Sequence, residues 1–107
     1  MDIQEYVTRE GRSPFGMWLR GLRDVRARAR IRVRLDRVRL GNPGDYRSVG
    51  GGVYELRLSY GPGYRLYFGV VDRTTLVLLT GGDKSTQQRD IDRAKNYWAD
   101  YLDRDDG

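Results

Sequence analysis

The stretch 55-ELRLSYGPGYRLYF-68 decides the fold. Apolar and polar residues alternate on either side of a Gly-Pro-Gly turn signal, the pattern of two short strands folded back on each other. On this reading Tyr54, Leu56 and Leu58 join Tyr64, Leu66, Phe68 and Val70 on a face that points to the core. Glu55, Arg57, Ser59, Arg65 and Tyr67 point away from it. Matching the apolar faces across the turn puts both arginines on the same side, so Glu55, Arg57, Arg65 and Tyr67 are expected on one concave or open sheet surface. Plain polar groups would satisfy a face that only meets water. The charges there suggest either a cross-strand Glu–Arg ladder, worth about 0.2–1 kcal/mol per pair, or a site for an anion.

Further strand signals lie at 46–49 and 74–80, set off by "GGG" and "DR" turns, which extends the hairpin into an antiparallel meander. At the end of the last strand, 80-TGGDKS-85 offers glycines that let backbone approach a ligand, with Asp83 beside it and Lys84 just past the sheet. Two arginines and a lysine converging beside Glu55 and Asp83 suit a phosphodiester. The glycine spacing does not match a P-loop.

Upstream, 2-DIQEYVT-8 alternates weakly as a first strand. Ser13 as N-cap and Pro14 at the first helical position begin a short helix with Phe15, Trp18, Leu19 and Leu22 at helical spacing, ending near Gly21. Asp24 caps a longer helix to about Leu40, stopped by 41-GNPGD-45. Ala27, Ile31, Leu35 and Val38 form one apolar stripe on it, and Val25, Ala29 and Val33 a second, as if the helix packed on both the sheet and its neighbour. Arg23, Arg26, Arg30, Arg34 and Arg37 align between the stripes, either to meet a polyanion or as a solvated face. The chain closes with a helix over 85–102, where Ser85 and Gln88 are spaced as a capping box and Ile91, Ala94, Trp98 and Leu102 share a side. Residues 103–107 are expected to fray. With no repeat or linker, residues 1–107 read as one domain.

Composition narrows the chemistry. Of 20 basic residues all but Lys84 and Lys95 are arginine, against 15 acids, giving a net charge of +5. Guanidinium favours bidentate phosphate recognition, so an anionic partner such as nucleic acid is expected, with a merely solvated Arg-rich surface as the alternative. The chain has no His and no Cys. Disulfides, thiol nucleophiles, histidine bases and most transition-metal sites are thereby excluded, no cofactor or metal is expected, and any proton transfer falls to carboxylate, tyrosine, lysine or arginine. The start of the chain carries no secretory pattern, and no apolar run approaches the ~20 residues of a membrane span, so a cytoplasmic protein is expected.

Taken together, 51-GGVYELRLSYGPGYRLYF-68 and 78-LLTGGDKSTQQRDIDRA-94 resemble the RelE/ParE superfamily of type II toxin–antitoxin toxins, in particular the phage-type addiction module killer branch related to HigB. The resemblance spans about residues 2–102. It implies a microbial-ribonuclease-like α+β fold: an N-terminal strand and two helices on an antiparallel sheet of about four to five strands, then a C-terminal helix. It also implies a ribosome-dependent endoribonuclease that cuts mRNA in the ribosomal A site and is restrained by a helix-turn-helix antitoxin. The family's basic strand positions fall on Glu55 and Arg57, its phosphate-binding arginine on Arg65 and its late basic residue on Lys84. The sequence departs in carrying Glu55 where a lysine is common, and in lacking the C-terminal catalytic tyrosine or histidine, with Asp90 in that neighbourhood.

The chemistry implied is attack of the ribose 2′-hydroxyl on the adjacent phosphate, leaving a 2′,3′-cyclic phosphate. Glu55 is then the candidate base or the orienter of Arg57, Arg57 and Arg65 clamp phosphoryl oxygens, and Lys84 stabilises charge or acts as acid. Tyr67 would stack on a base and Asp83 would line the RNA path. The arginine ridge would meet ribosomal RNA phosphates. The ParE side of the superfamily, which poisons DNA gyrase without a catalytic constellation, and a noncatalytic RNA-binding protein are the competing readings.

Overall fold

The computed structural model describes residues 1–105. Ser13 accepts from the Gly16 N–H and Pro14 fills the first helical position, which starts α1 (Pro14–Gly21). Asp24 accepts from the N–H groups of Arg26 and Ala27 and starts α2 (Val25–Arg39). Beyond α2, Gly41 takes φ +83° and donates to the Val38 carbonyl, ending the helix.

Five strands follow the sequence reading closely: β1 (Asp2–Glu5), β2 (Tyr46–Gly50), β3 (Val53–Arg57), β4 (Arg65–Val70) and β5 (Thr75–Gly82). Their spatial order is β1-β5-β4-β3-β2, so β2 to β5 form the antiparallel meander while β1 joins parallel to β5 at the far edge. A 3-10 turn (Lys84–Thr86) leads into α3 (Gln87–Asp105). The class is α+β, as expected.

Helices cover both faces of the sheet. On one side α1 and α2 bury Phe15, Ala27, Ile31, Leu35 and Val38 against Leu56, Leu66, Phe68, Leu76 and Leu78. On the other, Ile91, Ala94 and Trp98 of α3 pack on Tyr6, Val53, Tyr67, Val77 and Leu79. The expectation of an open face bearing Glu55, Arg65 and Tyr67 is therefore corrected. That face is roofed by α3, and Glu55 and Tyr67 are both 0% exposed. The reason lies in β5, whose run 76-LVLL-79 is apolar on both sides and so requires cover on both.

Three smaller expectations also change. The second stripe of α2 is exposed, Val25 at 66% and Val33 at 53%, because α1 lies on β5 instead of alongside it. The capping box is Asp83 with Thr86, not Ser85 with Gln88: Asp83 accepts from the Ser85 N–H and Thr86 answers the Asp83 N–H, so the helical stretch begins a turn earlier. Finally, α3 continues through Asp105 because Arg104 pairs with Asp100 and donates to the Val7 carbonyl. Of the expected frayed tail, residues 106 and 107 lie outside the described residues. Among those described, no helix is long and apolar enough to cross a membrane.

Two indoles are seated directly on strand backbone. Trp98, stacked on Tyr101 at 5.3 Å, lies over Gly69, and Trp18 lies over Gly81, so a methyl at either glycine would overlap the ring. Gly69→Ala should therefore lower stability by about 1–3 kcal/mol, the usual cost of forcing a packed side chain aside. Urea unfolding monitored by circular dichroism measures it. An unchanged midpoint would mean that Trp98 does not rest on Gly69.

Candidate functional site

With both faces covered, the sheet offers its ends. β3 and β4 are joined by the turn at 58–64, and their register sets Arg57 directly opposite Arg65, on the same side as the sequence predicted. Arg65 in turn sits opposite Gly82, the last residue of β5. A cleft of about 300 Å³ opens here, lined by Asp45, Arg57, Ser59, Gly63 and Arg65. Lys84 closes in from the 3-10 turn, its backbone N–H bonded to the Pro62 carbonyl at 3.3 Å. Gly63, at φ +79°, allows this approach: a Cβ there would lie 3.2 Å from Arg65 Nη1 and 3.5 Å from Lys84 Cβ. The fold thus sets Arg57 beside Arg65 in the cleft, with the backbone and Cβ of Lys84 next to it at the Gly63 turn. Asp83 stands beside Lys84, but its carboxylate is engaged by Ser85 at the cap.

Like charges directly opposite each other in a sheet repel, so each arginine needs a counter-group or an anion. Arg57 Nε meets Asp45 Oδ2 at 3.2 Å, a half-exposed pair that screening limits to about 0–1 kcal/mol. Arg65 is 8% exposed, donates from Nη1 to the Gly63 carbonyl at 2.8 Å, and brings Nε within 3.7 Å of Glu55 Oε2. That Nε is buried and, among the described residues, has no hydrogen-bond partner.

Glu55 is the anchor of this arrangement. Its Oε1 accepts from Arg47 Nε at 3.1 Å, and its Oε2 accepts from the Tyr67 hydroxyl at 3.0 Å and from Gln87 Nε2 at 2.9 Å. Burial alone would raise its pKa, but the hydrogen bonds from Gln87, Arg47 and Tyr67 outweigh it and hold the carboxyl below its ordinary value. The group stays ionised with its lone pairs occupied. It faces Arg65, whereas Arg57 is oriented by Asp45, contrary to the Glu55–Arg57 pairing expected from sequence. Tyr67 offers no surface for stacking on a base: it is fully buried, and burial together with the neighbouring Glu55 charge pushes its phenol well above the usual range.

Arg47 and Gln87 escaped the sequence reading. Arg47 was accessible in principle, since the β2–β3 register across the glycine turn places it opposite Glu55. Gln87 carried no local signal, because its partner is 32 residues away.

The arginines of α2 divide by role. Arg34 is a structural tie, donating from Nε to Pro43 O at 2.7 Å, from Nη1 to Arg57 O at 2.9 Å and from Nη2 to Asp45 O at 3.0 Å. The expected continuous ridge is broken there, and Arg23 precedes the helix altogether. Arg26 is exposed. The Arg30 guanidinium lies 4.3 Å from the Tyr60 ring centroid. Arg30 and Arg37 line a groove of about 220 Å³ that shares Leu58 and Ser59 with the Arg57–Arg65 cleft.

Comparison with known proteins places the chain among phage-derived sequences. Residues 17–99 match the family described as Phage derived protein Gp49-like (DUF891). An uncharacterized protein from Haemophilus influenzae (strain ATCC 51907 / DSM 11121 / KW20 / Rd) is 47% identical over 81 residues, covering 76% of this chain and 82% of the relative. The matched residues include β3, β4, β5 and most of α3.

The Glu55 network carries a pH signature. A carboxyl whose folded pKa lies below its unfolded value, about 4.3 for glutamate, contributes stability that is complete above that value and lost as pH falls through the folded one. Glu55→Gln should destabilise the protein by about 1–3 kcal/mol at pH 7, since the amide cannot accept from all the donors, and should flatten the acid limb below about pH 4. Denaturant midpoints measured from neutral to acid pH test this. Asp72, held low by Thr74, and Asp100, held low first by Tyr6, would supply the acid sensitivity that remains. An acid limb unchanged in Glu55→Gln contradicts the assignment.

Proposed function

The chain belongs to the Gp49-like family of phage-derived proteins, and on that premise we propose that it is the toxin of a type II toxin–antitoxin system, acting as a ribosome-dependent mRNA endoribonuclease of the RelE type. The observation that carries this reading is the cross-strand Arg57–Arg65 pair with Lys84 at the open end of the sheet. Arg57 and Arg65 line one cleft together with Asp45, and Lys84 is anchored beside it at the Gly63 turn. A phosphodiester in that cleft relieves the repulsion between them and gains the charge-assisted bonds they offer.

In the proposed reaction the ribose 2′-hydroxyl attacks the adjacent phosphorus and the 5′-oxygen leaves, giving a 2′,3′-cyclic phosphate and a 5′-hydroxyl. Arg57 and Arg65 bind the phosphoryl oxygens, whose negative charge grows in the transition state. Lys84 gives a proton to the departing 5′-oxygen, which leaves as the 5′-hydroxyl. Glu55 is a positioning residue: with Arg47, Tyr67 and Gln87 around it, it holds the Arg65 guanidinium at the cleft and keeps its own proton-accepting oxygens occupied. Asp45, half-exposed and in the cleft, is the carboxylate that accepts the proton of the attacking 2′-hydroxyl. Without histidine this machinery is weak on free RNA. Orientation of the message by the ribosome supplies what side-chain chemistry lacks. Arg26, Arg30 and Arg37 dock the protein on ribosomal RNA, and a co-encoded helix-turn-helix antitoxin restrains it.

Induced expression in a bacterial host tests the reading. Arg57→Ala and Lys84→Ala should abolish growth arrest while costing only about 0.5 kcal/mol of stability, because both side chains are exposed. Primer extension on total RNA should map wild-type cuts within translated codons. DNA damage with intact transcripts would instead identify gyrase as the target, and full toxicity of both variants would remove the cleft from the mechanism.

Docking is tested separately. Replacing Arg26, Arg30 and Arg37 together with Gln, while leaving the structural Arg34 in place, should weaken co-sedimentation with ribosomes and flatten its salt dependence, since each lost phosphate contact removes a counterion-release term. The same salt slope as wild type would assign these arginines to solvent.

A further inference from the structure

At the same end of the sheet, on the β1 side of β5, a second cleft of about 330 Å³ opens between α1, α3 and the segment that follows β1. Thr80 and Gly81 of β5 line it, and the Trp18 indole rests on Gly81 so closely that no Cβ could fit between them. Half-buried Trp18 and Tyr97 supply aromatic walls. A slot with aromatic sides suits a planar ring.

Polar groups in the cleft specify more than a ring. The Asp90 side chain is 4% exposed; its Oδ2 accepts from the Thr86 hydroxyl at 2.5 Å, while Oδ1 lies 3.7 Å from Arg89 Nε and, among the described residues, accepts no hydrogen bond. A carboxylate oxygen that accepts no hydrogen bond, in the lining of an aromatic slot, can accept from an N–H donor on a ring held there. At the rim stand Arg12 and Arg93, both exposed, whose side chains make no hydrogen bond or ion pair among the described residues. Free guanidinium groups over such a slot suit a phosphate.

We propose that this cleft holds a guanine nucleotide of single-stranded RNA, the base between Trp18 and Tyr97 with its N1–H and N2–H edge on Asp90, and a phosphate on Arg12 and Arg93. Guanine presents adjacent ring and exocyclic donors to a carboxylate, whereas uracil sets a carbonyl on each side of its single N–H. Gly82, the last residue of β5, separates this cleft from Arg65 and Lys84, so one strand of RNA can occupy both. The proposal rests on the RNA reading above for the identity of the longer ligand and gives that ligand a base preference.

The test uses the isolated protein labelled with 15N. Guanosine 5′-monophosphate should shift the indole N–H signal of Trp18 and leave that of Trp98, buried between α3 and the sheet, in place. Uridine 5′-monophosphate should bind about tenfold more weakly. Asp90→Asn, which keeps an acceptor for Thr86, should bring guanosine binding down to the uridine level. Arg12→Gln with Arg93→Gln should weaken both nucleotides alike. A guanosine-containing dinucleotide should bind more tightly than the monophosphate, with the gain lost in Lys84→Ala. An unmoved Trp18 signal overturns the site, equal binding of the two bases overturns the role of Asp90, and a dinucleotide with no advantage overturns RNA as the ligand in favour of a free nucleotide. None of these readouts requires the ribosome or cleavage. A failure here leaves the Arg57–Arg65 cleft untouched, and a protein inert in growth assays leaves these outcomes standing.

Discussion

A carboxylate with no exposure to water sits near the centre of the sheet, and much of the remaining structure is arranged around it. Taking an ionised Glu55 out of water is costly unless its oxygens are matched by donors and an opposite charge. Those partners come from separate elements: Arg47 from β2, Tyr67 and Arg65 from β4, and Gln87 from the first turn of α3. Apolar contacts alone would tolerate a strand slipping by two residues with its faces unchanged. The Glu55 pairings opposite both Arg47 and Tyr67 do not. One buried charge therefore pins the register of β2, β3 and β4 and the start of α3 together.

That register has a direct consequence for the cleft. Once Glu55 lies opposite Tyr67, the pleat forces Arg57 opposite Arg65, two positions along, with Ser59 and the glycines of the turn beyond them. The sheet cannot hold this pair quietly, because their guanidinium groups repel and, among the described residues, Asp45 and Glu55 are the carboxylates that pair with them. Arg34 fixes the same corner from the other side by collecting three carbonyls around the α2–β2 loop and the end of β3. The cleft is therefore held by a rigid frame although its walls are turns, which suits the recognition of a group as small as phosphate.

Cover on both faces leaves clefts at the ends of the strands. α1 and α2 take one face and α3 the other, and two clefts open at the end of the sheet where β5 stops at Gly81 and Gly82. The indole of Trp18 lies against the first of these, and the Asp90–Thr86 pair against the second, where a side chain would collide with both. The two clefts flank this glycine pair, one basic and open toward α2, the other aromatic with a buried acid at its base.

Sequence by itself determined the features that near neighbours encode. Ser13, Pro14 and Asp24 marked where helices begin, the glycine turns and period-two alternation marked β3 and β4, and the apolar match across the turn set Arg57 and Arg65 on one side. Caps and turns close hydrogen bonds over a few residues, so their signals are local. Tertiary structure alone decided the fate of the polar groups. Glu55 and Tyr67 alternate with apolar residues as solvent-facing side chains do, and what buried them was a helix beginning 32 residues beyond Glu55. Arg34 was indistinguishable from its neighbours on the helical ridge until three distant carbonyls claimed it, and Val33 met water because α1 settled on β5. A charged side chain is stable either in water or among matched partners. The choice between the two depends on which elements pack against it, which local spacing does not carry.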